Sequence, residues 1–258
     1  MRSQPFRHHL ALGLWMVLGF TFVAVIGLRA EDSSTALEQA LAQSGTNRDT
    51  LQQALNQASA DIRPDLEFII ENMPVSDLQT LSGAFLLKDA QLAHESFAAA
   101  PWHDQVPRDV YLNYVLPYAN ATETRESWRQ TMRDKCLPLI TDCKTPGEAA
   151  QRLNEKIWKL TNVKYSTGRK RADQSPSETM DSGLASCTGL TILLVDACRS
   201  VGVPARLVGT PMWMNMRGNH TWVEVWDNGW HFTGAAEPDP KGLDHTWFEH
   251  DASEAQKD

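Results

Sequence analysis

Ser186-Cys187-Thr188-Gly189-Leu190-Thr191-Ile192-Leu193-Leu194-Val195-Asp196-Ala197-Cys198-Arg199-Ser200-Val201-Gly202 is the stretch that decides how this chain folds. Leu190, Leu193, Leu194, Ala197 and Val201 follow the i, i+3, i+4, i+7, i+11 rule, and Gly202 stands where a helix C-terminal glycine belongs, so a helix is predicted from about Ser186 to Val201. Ser186 is a good N-cap. It puts Cys187 in the first turn, where unpaired backbone N–H groups and the positive end of the helix dipole favour a thiolate, the reactive form of the side chain.

The other cysteines read differently. Cys198 adjoins Ala197 on the inward stripe and suits a buried small hydrophobe. A bridge from it to Cys187 is excluded, because eleven residues at ~1.5 Å rise separate them by about 16 Å, against under ~7 Å for a disulfide. Cys136 and Cys143 flank Pro138 and are either bridged locally or reduced. A zinc site would need two further ligands at recognisable spacing, and a metallohydrolase built on Cys136, Cys143 and scattered histidines finds none.

Downstream of the helix, His220-Thr221-Trp222-Val223-Glu224-Val225-Trp226 alternates strictly, and Asp227-Asn228-Gly229 is a hairpin turn before Trp230-His231-Phe232. Val223 and Val225 point into core, which leaves His220, Trp222, Glu224 and Trp226 on the opposite face. A histidine on such a face, paired with a helix-start cysteine, is a candidate general base. Between the two motifs Thr210-Pro211-Met212-Trp213-Met214-Asn215-Met216 passes near the groove, and its soft apolar side chains either wall a substrate site or simply pack on the sheet. Trp213 is therefore a candidate substrate contact, and Trp222, two residues from His220, is another, placed either to pack beside an acyl group or offer its indole N–H, or simply to stack over the sheet.

Three segments in order, Cys187-Thr188-Gly189-Leu190, Gly202-Val203-Pro204-Ala205-Arg206 and Asn219-His220-Thr221-Trp222-Val223-Glu224-Val225-Trp226, resemble the transglutaminase-like superfamily. The resemblance implies an α+β, papain-like core in which a nucleophile helix packs on an antiparallel sheet, and a Cys-His-Asp triad for acyl transfer from amides. It gives Cys187 the role of nucleophile and His220 that of base. The resemblance is firm over 177–240. Upstream, Tyr114-Val115-Leu116-Pro117-Tyr118 and Glu126-Ser127-Trp128-Arg129 look similar to bacterial members with a preceding helical region.

The sequence departs from the family at the third residue. An aspartate usually follows the hairpin tryptophan by four positions, but Trp230 plus four is Gly234, and the nearest carboxylates are Glu237 and Asp239. If Asn228-Gly229 is a two-residue turn, the ladder sets His220 opposite Glu237 with Cβ atoms ~5 Å apart. A three-residue loop slips the register by one and takes Glu237 off that face.

Before this core the chain reads as helical. Ser33–Ser59 suggests a helical pair broken at Ser44-Gly45-Thr46-Asn47; Pro64 opens Asp65–Asn72; Val75–Phe97 carries Leu78, Leu81, Phe85 and Leu92 on one helical stripe. Tyr111–Tyr118 is apolar and aromatic, Glu123–Asp134 a polar helix, and Pro146–Leu160 a helix with Ala149, Leu153, Ile157 and Trp158 inward. Residues 31–144 are thus expected to be a helical region and 145–258 the core, with the chain stopping soon after Trp247-Phe248, where members of the family often continue.

Residues 1–30 differ again. Arg2 and Arg7 precede the uncharged 19-residue run Leu10–Leu28, close to the ~20 that span a bilayer. Leu28-Arg29-Ala30 favours a cleaved export signal over an uncleaved anchor, and either places the rest of the chain in the periplasm or outside the cell. Losing these residues removes three arginines and no acid, which takes the formal charge from −8 to −11 and argues against a nucleic-acid partner. At 42% hydrophobic and 22% charged, the 258 residues suffice for one or two domains. The reading is an exported cysteine-dependent acyl-transfer enzyme on a protein or peptide substrate, hydrolysis preferred over amine transfer, with no metal or organic cofactor implied and with membrane contact only through an uncleaved anchor. The competing reading is a non-catalytic binding module of the same fold.

Overall fold

A computed structural model describes residues 35–254; the leader or anchor expected at 1–30 lies outside the described residues. The predicted helical pair is present as α1, over residues 35–43, and α2 (Arg48–Gln57), parted by a single 3-10 turn at Gly45–Asn47. α3 (Arg63–Asn72) carries Pro64 in its first turn, where the missing N–H has no intrahelical partner to lose. The single stripe expected over Val75–Phe97 is two helices, α4 (Val75–Thr80) and α5 (Gly83–Ala98). Ser82 causes the break: its backbone is extended and its hydroxyl accepts the Phe85 N–H, starting a new helix in mid-stripe.

α6 (Arg108–Tyr114) covers only the first half of the aromatic segment. The polar helix expected from Glu123 begins later, as α7 (Arg129–Cys136). Glu123 is buried instead, its carboxylate accepting the backbone N–H groups of Asn120 (2.6 Å) and Ala121 (2.7 Å) in a local turn that competes with helix. α8 (Pro146–Thr161) is capped by Thr145 and ends at Asn162 in the left-handed conformation.

The core is α+β. α10 (Cys187–Ser200) lies against an antiparallel sheet of order β3-β4-β5, formed by Ala205–Thr210, His220–Trp226 and Trp230–Thr233. Two short parallel strands, β1 (Lys164–Tyr165) and β2 (Leu184–Ala185), with α9 (Pro176–Ser182) between them, lead into α10. α11 (Glu249–Ser253) closes the described chain. Among the described residues, no helix is long and apolar enough to cross a membrane.

The amphipathic stripe read for α10 understates its burial. Every residue from Gly189 to Ser200 is buried, Asp196 and Arg199 included, because helices cover the face turned away from the sheet. One apolar cluster therefore joins Leu193 and Leu194 to Val223 and Val225 on one side and to Trp102, Trp128, Met132, Leu153 and Ile157 on the other, so residues well before 145 contribute to it. A second cluster, around Leu51, Leu55, Leu66, Ile70 and Leu86, holds α1–α5 together. Gly202 sits at the seam between the two regions with φ +78, and a Cβ there would lie 2.8 Å from the Ser96 carbonyl oxygen.

Two buried arginines fasten the irregular link after α6. Arg129 makes a bidentate pair with Asp89, both bonds 3.0 Å, and donates to the carbonyls of Val115, Leu116 and Pro117. Arg199 donates to Tyr114, Pro117, Ala119 and Ala205 carbonyls, and burial lowers its pKa to about 10. Backbone carbonyls that no helix satisfies are thereby paired inside the protein. We predict that Arg129→Ala, which strands the buried Asp89 carboxylate and the Val115 and Leu116 carbonyls, lowers the free energy of denaturant unfolding by about 3–5 kcal/mol; a loss under ~1 kcal/mol would show the cage to be dispensable.

Candidate active site

Cys187 is the first residue of α10, as the sequence predicts. The Ser186 hydroxyl accepts the Gly189 N–H at 3.1 Å and donates to the Ala172 carbonyl at 2.5 Å, so the cap is itself tied to the preceding loop. β2 delivers the chain directly into that cap. Gly189 permits the tight strand-to-helix approach, since a Cβ there would already stand 3.1 Å from that of Ala185. Cys187 is partly exposed, unlike the other three cysteines, and all four are free thiols. Burial pushes the Cys136 thiol up to about 12 and raises Cys143 and Cys198 as well, which keeps these three protonated and inert.

His220 opens β4 and is only 8% exposed. Its neighbour Thr221 connects it to the cysteine's helix: the Thr188 and Thr221 hydroxyls are 3.1 Å apart, and Thr191 donates to the Thr221 carbonyl at 3.1 Å. The residue following the cysteine thus bonds the residue following the histidine, which fixes the helix start against the strand start. Burial holds the His220 pKa below the usual 6.5.

The hairpin register differs from the one that placed Glu237 opposite His220. Trp226 pairs with Trp230 and Val223 with Thr233 across a three-residue loop, with Asn228 at φ +57. A ladder continued in that register would set His220 against Ala236. The ladder does not continue. β5 stops at Thr233, and the chain folds into a tight turn in which Glu237 N–H donates to the Gly234 carbonyl at 3.1 Å and Ala236 takes φ +65. This turn returns Glu237 to the histidine: its Oε2 lies 3.9 Å from His220 Nε2. Asp239, the other carboxylate considered, instead turns its backbone carbonyl to Gln151 and its side chain to the Lys241 N–H.

Buried Asn154 of α8 holds the turn. Its amide donates to Thr233 Oγ1 (3.1 Å) and the Gly234 carbonyl (2.8 Å), while its Oδ1 accepts the Ala236 N–H (2.9 Å). Gly234 leaves room, because a Cβ at that position would stand 2.5 Å from Glu237 Oε2. The Glu237 carboxyl is raised above its ordinary range by burial, and the indole N–H of Trp247, at 2.9 Å from Oε2, acts in the opposite direction.

Trp213 and Trp222, expected to contact substrate, are 3% and 8% exposed. They form an aromatic cluster with fully buried Phe248, and the His220 ring packs among them at centroid distances of 6.0, 6.3 and 4.7 Å. Their place is behind the histidine, as its support, with little surface left for a substrate. Sequence reasoning missed Asn154, Trp247 and Phe248. The signal for the last two was present: an adjacent aromatic pair in an otherwise polar tail.

Residues 134–235, 102 of the 258, match the sequence profile described as the transglutaminase-like superfamily. The match takes in Cys187 and His220 and ends two residues before Glu237. No curated protein matches the chain. A crystal structure of a Cytophaga hutchinsonii protein, described as a candidate cysteine protease, is similar at 19% identity and TM-score 0.40; the match covers 54% of this chain and 46% of that one, so the chain spans about half of that protein's length.

His220 and His231 should titrate on opposite sides of 6.5. Burial lowers His220, so its contribution to stability is full above 6.5 and lost as the pH falls through its folded value. His231 is raised, first by its 2.6 Å hydrogen bond to Asp244, so its contribution is full below 6.5 and lost as the pH rises through its folded value. An NMR titration of the ring protons in Cys187→Ala protein, free of any thiolate, measures both; a His220 midpoint at or above 6.5 would show that the Glu237 carboxylate outweighs desolvation of the ring.

Proposed function

From a chain whose residues 134–235 form a transglutaminase-like core, we propose a cysteine-dependent acyl-transfer enzyme that acts on amide or peptide bonds, with Cys187 as nucleophile, His220 as base and Glu237 as the residue that orients the base. One observation carries this reading. A partly exposed cysteine at a capped helix start and a buried histidine at a strand start are cross-linked through Thr188 and Thr221, inside the segment that matches the family.

The chemistry follows from the parts. The carboxylate faces Nε2 of His220, so Nδ1 is the ring nitrogen left to take the Cys187 thiol proton. The sulfur then attacks the carbonyl carbon, and the first N–H groups of α10, including that of Cys187, are oriented to stabilise the resulting oxyanion. Collapse of that intermediate expels the amine, which takes its proton from the imidazolium and leaves a thioester on Cys187. Water, activated by the now neutral His220, releases the acid and regenerates the thiol. Hydrolysis is favoured over transfer to an amine because water needs no second binding site.

Support for Glu237 comes from Gly234. The resemblance puts an acid at 234, where this chain has none, and the Glu237 carboxylate lies where a side chain at 234 would begin. The acid reaches the histidine from three residues further along the chain. Glu237→Gln keeps the shape and removes the charge.

The test is digestion of a mixed-sequence peptide library followed by mass spectrometry. We expect cleavage or side-chain amide hydrolysis by the wild-type protein, none from Cys187→Ala or His220→Ala, and a rate about 10²-fold lower from Glu237→Gln, within the range for a group that assists proton transfer. Equal product from wild type and Cys187→Ala would overturn the proposal, and a well-folded wild type without any product would favour the binding module.

A further inference from the structure

Trp247 is 59% exposed, yet it makes a directed polar contact at the site. Its indole N–H donates to Glu237 Oε2 at 2.9 Å, and that same oxygen is the one 3.9 Å from His220 Nε2. The Trp247 ring also lies over the imidazole, centroid to centroid 5.0 Å, with Phe248 against the histidine as well. Among the described residues His220 Nε2 is buried and has no hydrogen-bond partner, so the Glu237 carboxylate is the charged group within ion-pair reach of it. An acidic side chain on a turn, 42% exposed, has several rotamers open to it, and a donor that captures one oxygen beside the histidine selects among them.

The segment that carries Trp247 is itself fixed. Asp244 bonds β5 three times: its backbone N–H donates to the Phe232 carbonyl (2.9 Å), its Oδ1 accepts the Phe232 N–H (3.0 Å) and its Oδ2 pairs with His231 (2.6 Å). Three residues on, Trp247 reaches the site, and fully buried Phe248 plugs the cluster with Trp213 and Trp222. Beyond them Asp251 of α11 is held by Asn215 and Arg217 of the loop that contains Trp213. A strap anchored at both ends thus presents one indole N–H to one carboxylate oxygen.

We propose that Trp247 is a positioning residue that acts through Glu237: its indole N–H holds the carboxylate at His220 Nε2, so that the imidazolium formed when Cys187 gives up its proton is stabilised. The inference rests on the assignment of Glu237 as the orienting acid. The indole bond favours the ionised carboxyl, so its loss leaves Glu237 protonated to higher pH and less able to steady the imidazolium. Thiolate formation at Cys187 then requires higher pH.

The experiment needs no substrate. The rate of Cys187 alkylation by iodoacetamide is followed from pH 4 to 9 by peptide mass spectrometry in wild type, Trp247→Phe, Glu237→Gln and the double variant. Trp247→Phe keeps an aromatic ring over His220 and removes only the donor. The inference predicts that its acid limb moves to higher pH, with a rate near pH 6 about five- to tenfold below wild type, the net scale of one ordinary hydrogen bond, as befits a half-exposed pair. It predicts the same shift in Glu237→Gln and no further shift in the double variant. If Glu237→Gln shifts the limb and Trp247→Phe does not, the role of Trp247 is overturned and that of Glu237 stands. If Glu237→Gln itself shifts nothing, the assignment of Glu237 fails and this inference with it. A shift in the double variant beyond that of Glu237→Gln would show that Trp247 acts on His220 by some route other than the carboxylate.

Discussion

Burial of α10 on all sides is the constraint from which the rest of the structure follows. A helix with the sheet on one face and helices on the other has no solvent-facing surface after its first two residues, so its sequence is apolar except where a polar group is caged. Arg199 shows the cost of that rule, since four backbone carbonyls are arranged around it. The only part of the helix that can meet another molecule is its N-terminus, and there Cys187 stands with its cap and its unpaired N–H groups. Packing thus rigidifies the nucleophile and exposes it at the end where an anionic sulfur is best stabilised.

The same constraint fixes the histidine. Val223 and Val225 must face α10, which obliges His220 and Trp222 to face the other way, and the Trp213-Trp222-Phe248 cluster then walls that face. A histidine in such surroundings is kept neutral by desolvation and can accept a proton. The acid is placed by a different device. Asn154, buried on α8 with three of its side-chain hydrogen bonds made to residues 233–236, bends the chain out of the sheet and sends Glu237 back over Gly234. α8 therefore contributes to the site through the turn that carries Glu237.

How much of this was legible depends on the range of the interaction. The α10 boundaries, its cap, the exposure of Cys187 relative to Cys198 and the side of β4 that His220 faces all follow from periodicities of 3.6 and 2, which one segment carries alone. The Ser82 break and the inward turn of Glu123 were missed because a single hydroxyl or carboxylate captured backbone N–H groups against the local apolar pattern. Sequence leaves the register open between two loop lengths, because Asn-Gly favours a two-residue turn in isolation, while here Asp227 joins the loop and gives the three-residue form. Asn154 was invisible for a better reason: it lies 79 residues from Thr233 in sequence, and nothing in either segment announces the other. Trp213 and Trp222 were legible as aromatic neighbours of the site, but their burial depends on Phe248, which arrives from the tail.

The central claim is that Cys187 and His220 act as one chemical unit, and brief treatment with a limiting amount of iodoacetamide at pH 7 tests it most directly. The three remaining thiols are buried and held protonated, so the account predicts a single adduct, mapped to Cys187, forming at least about tenfold more slowly in His220→Ala protein, where the thiol has lost its base. Equal labelling of Cys187 in both proteins, or preferential labelling of another cysteine, would contradict it.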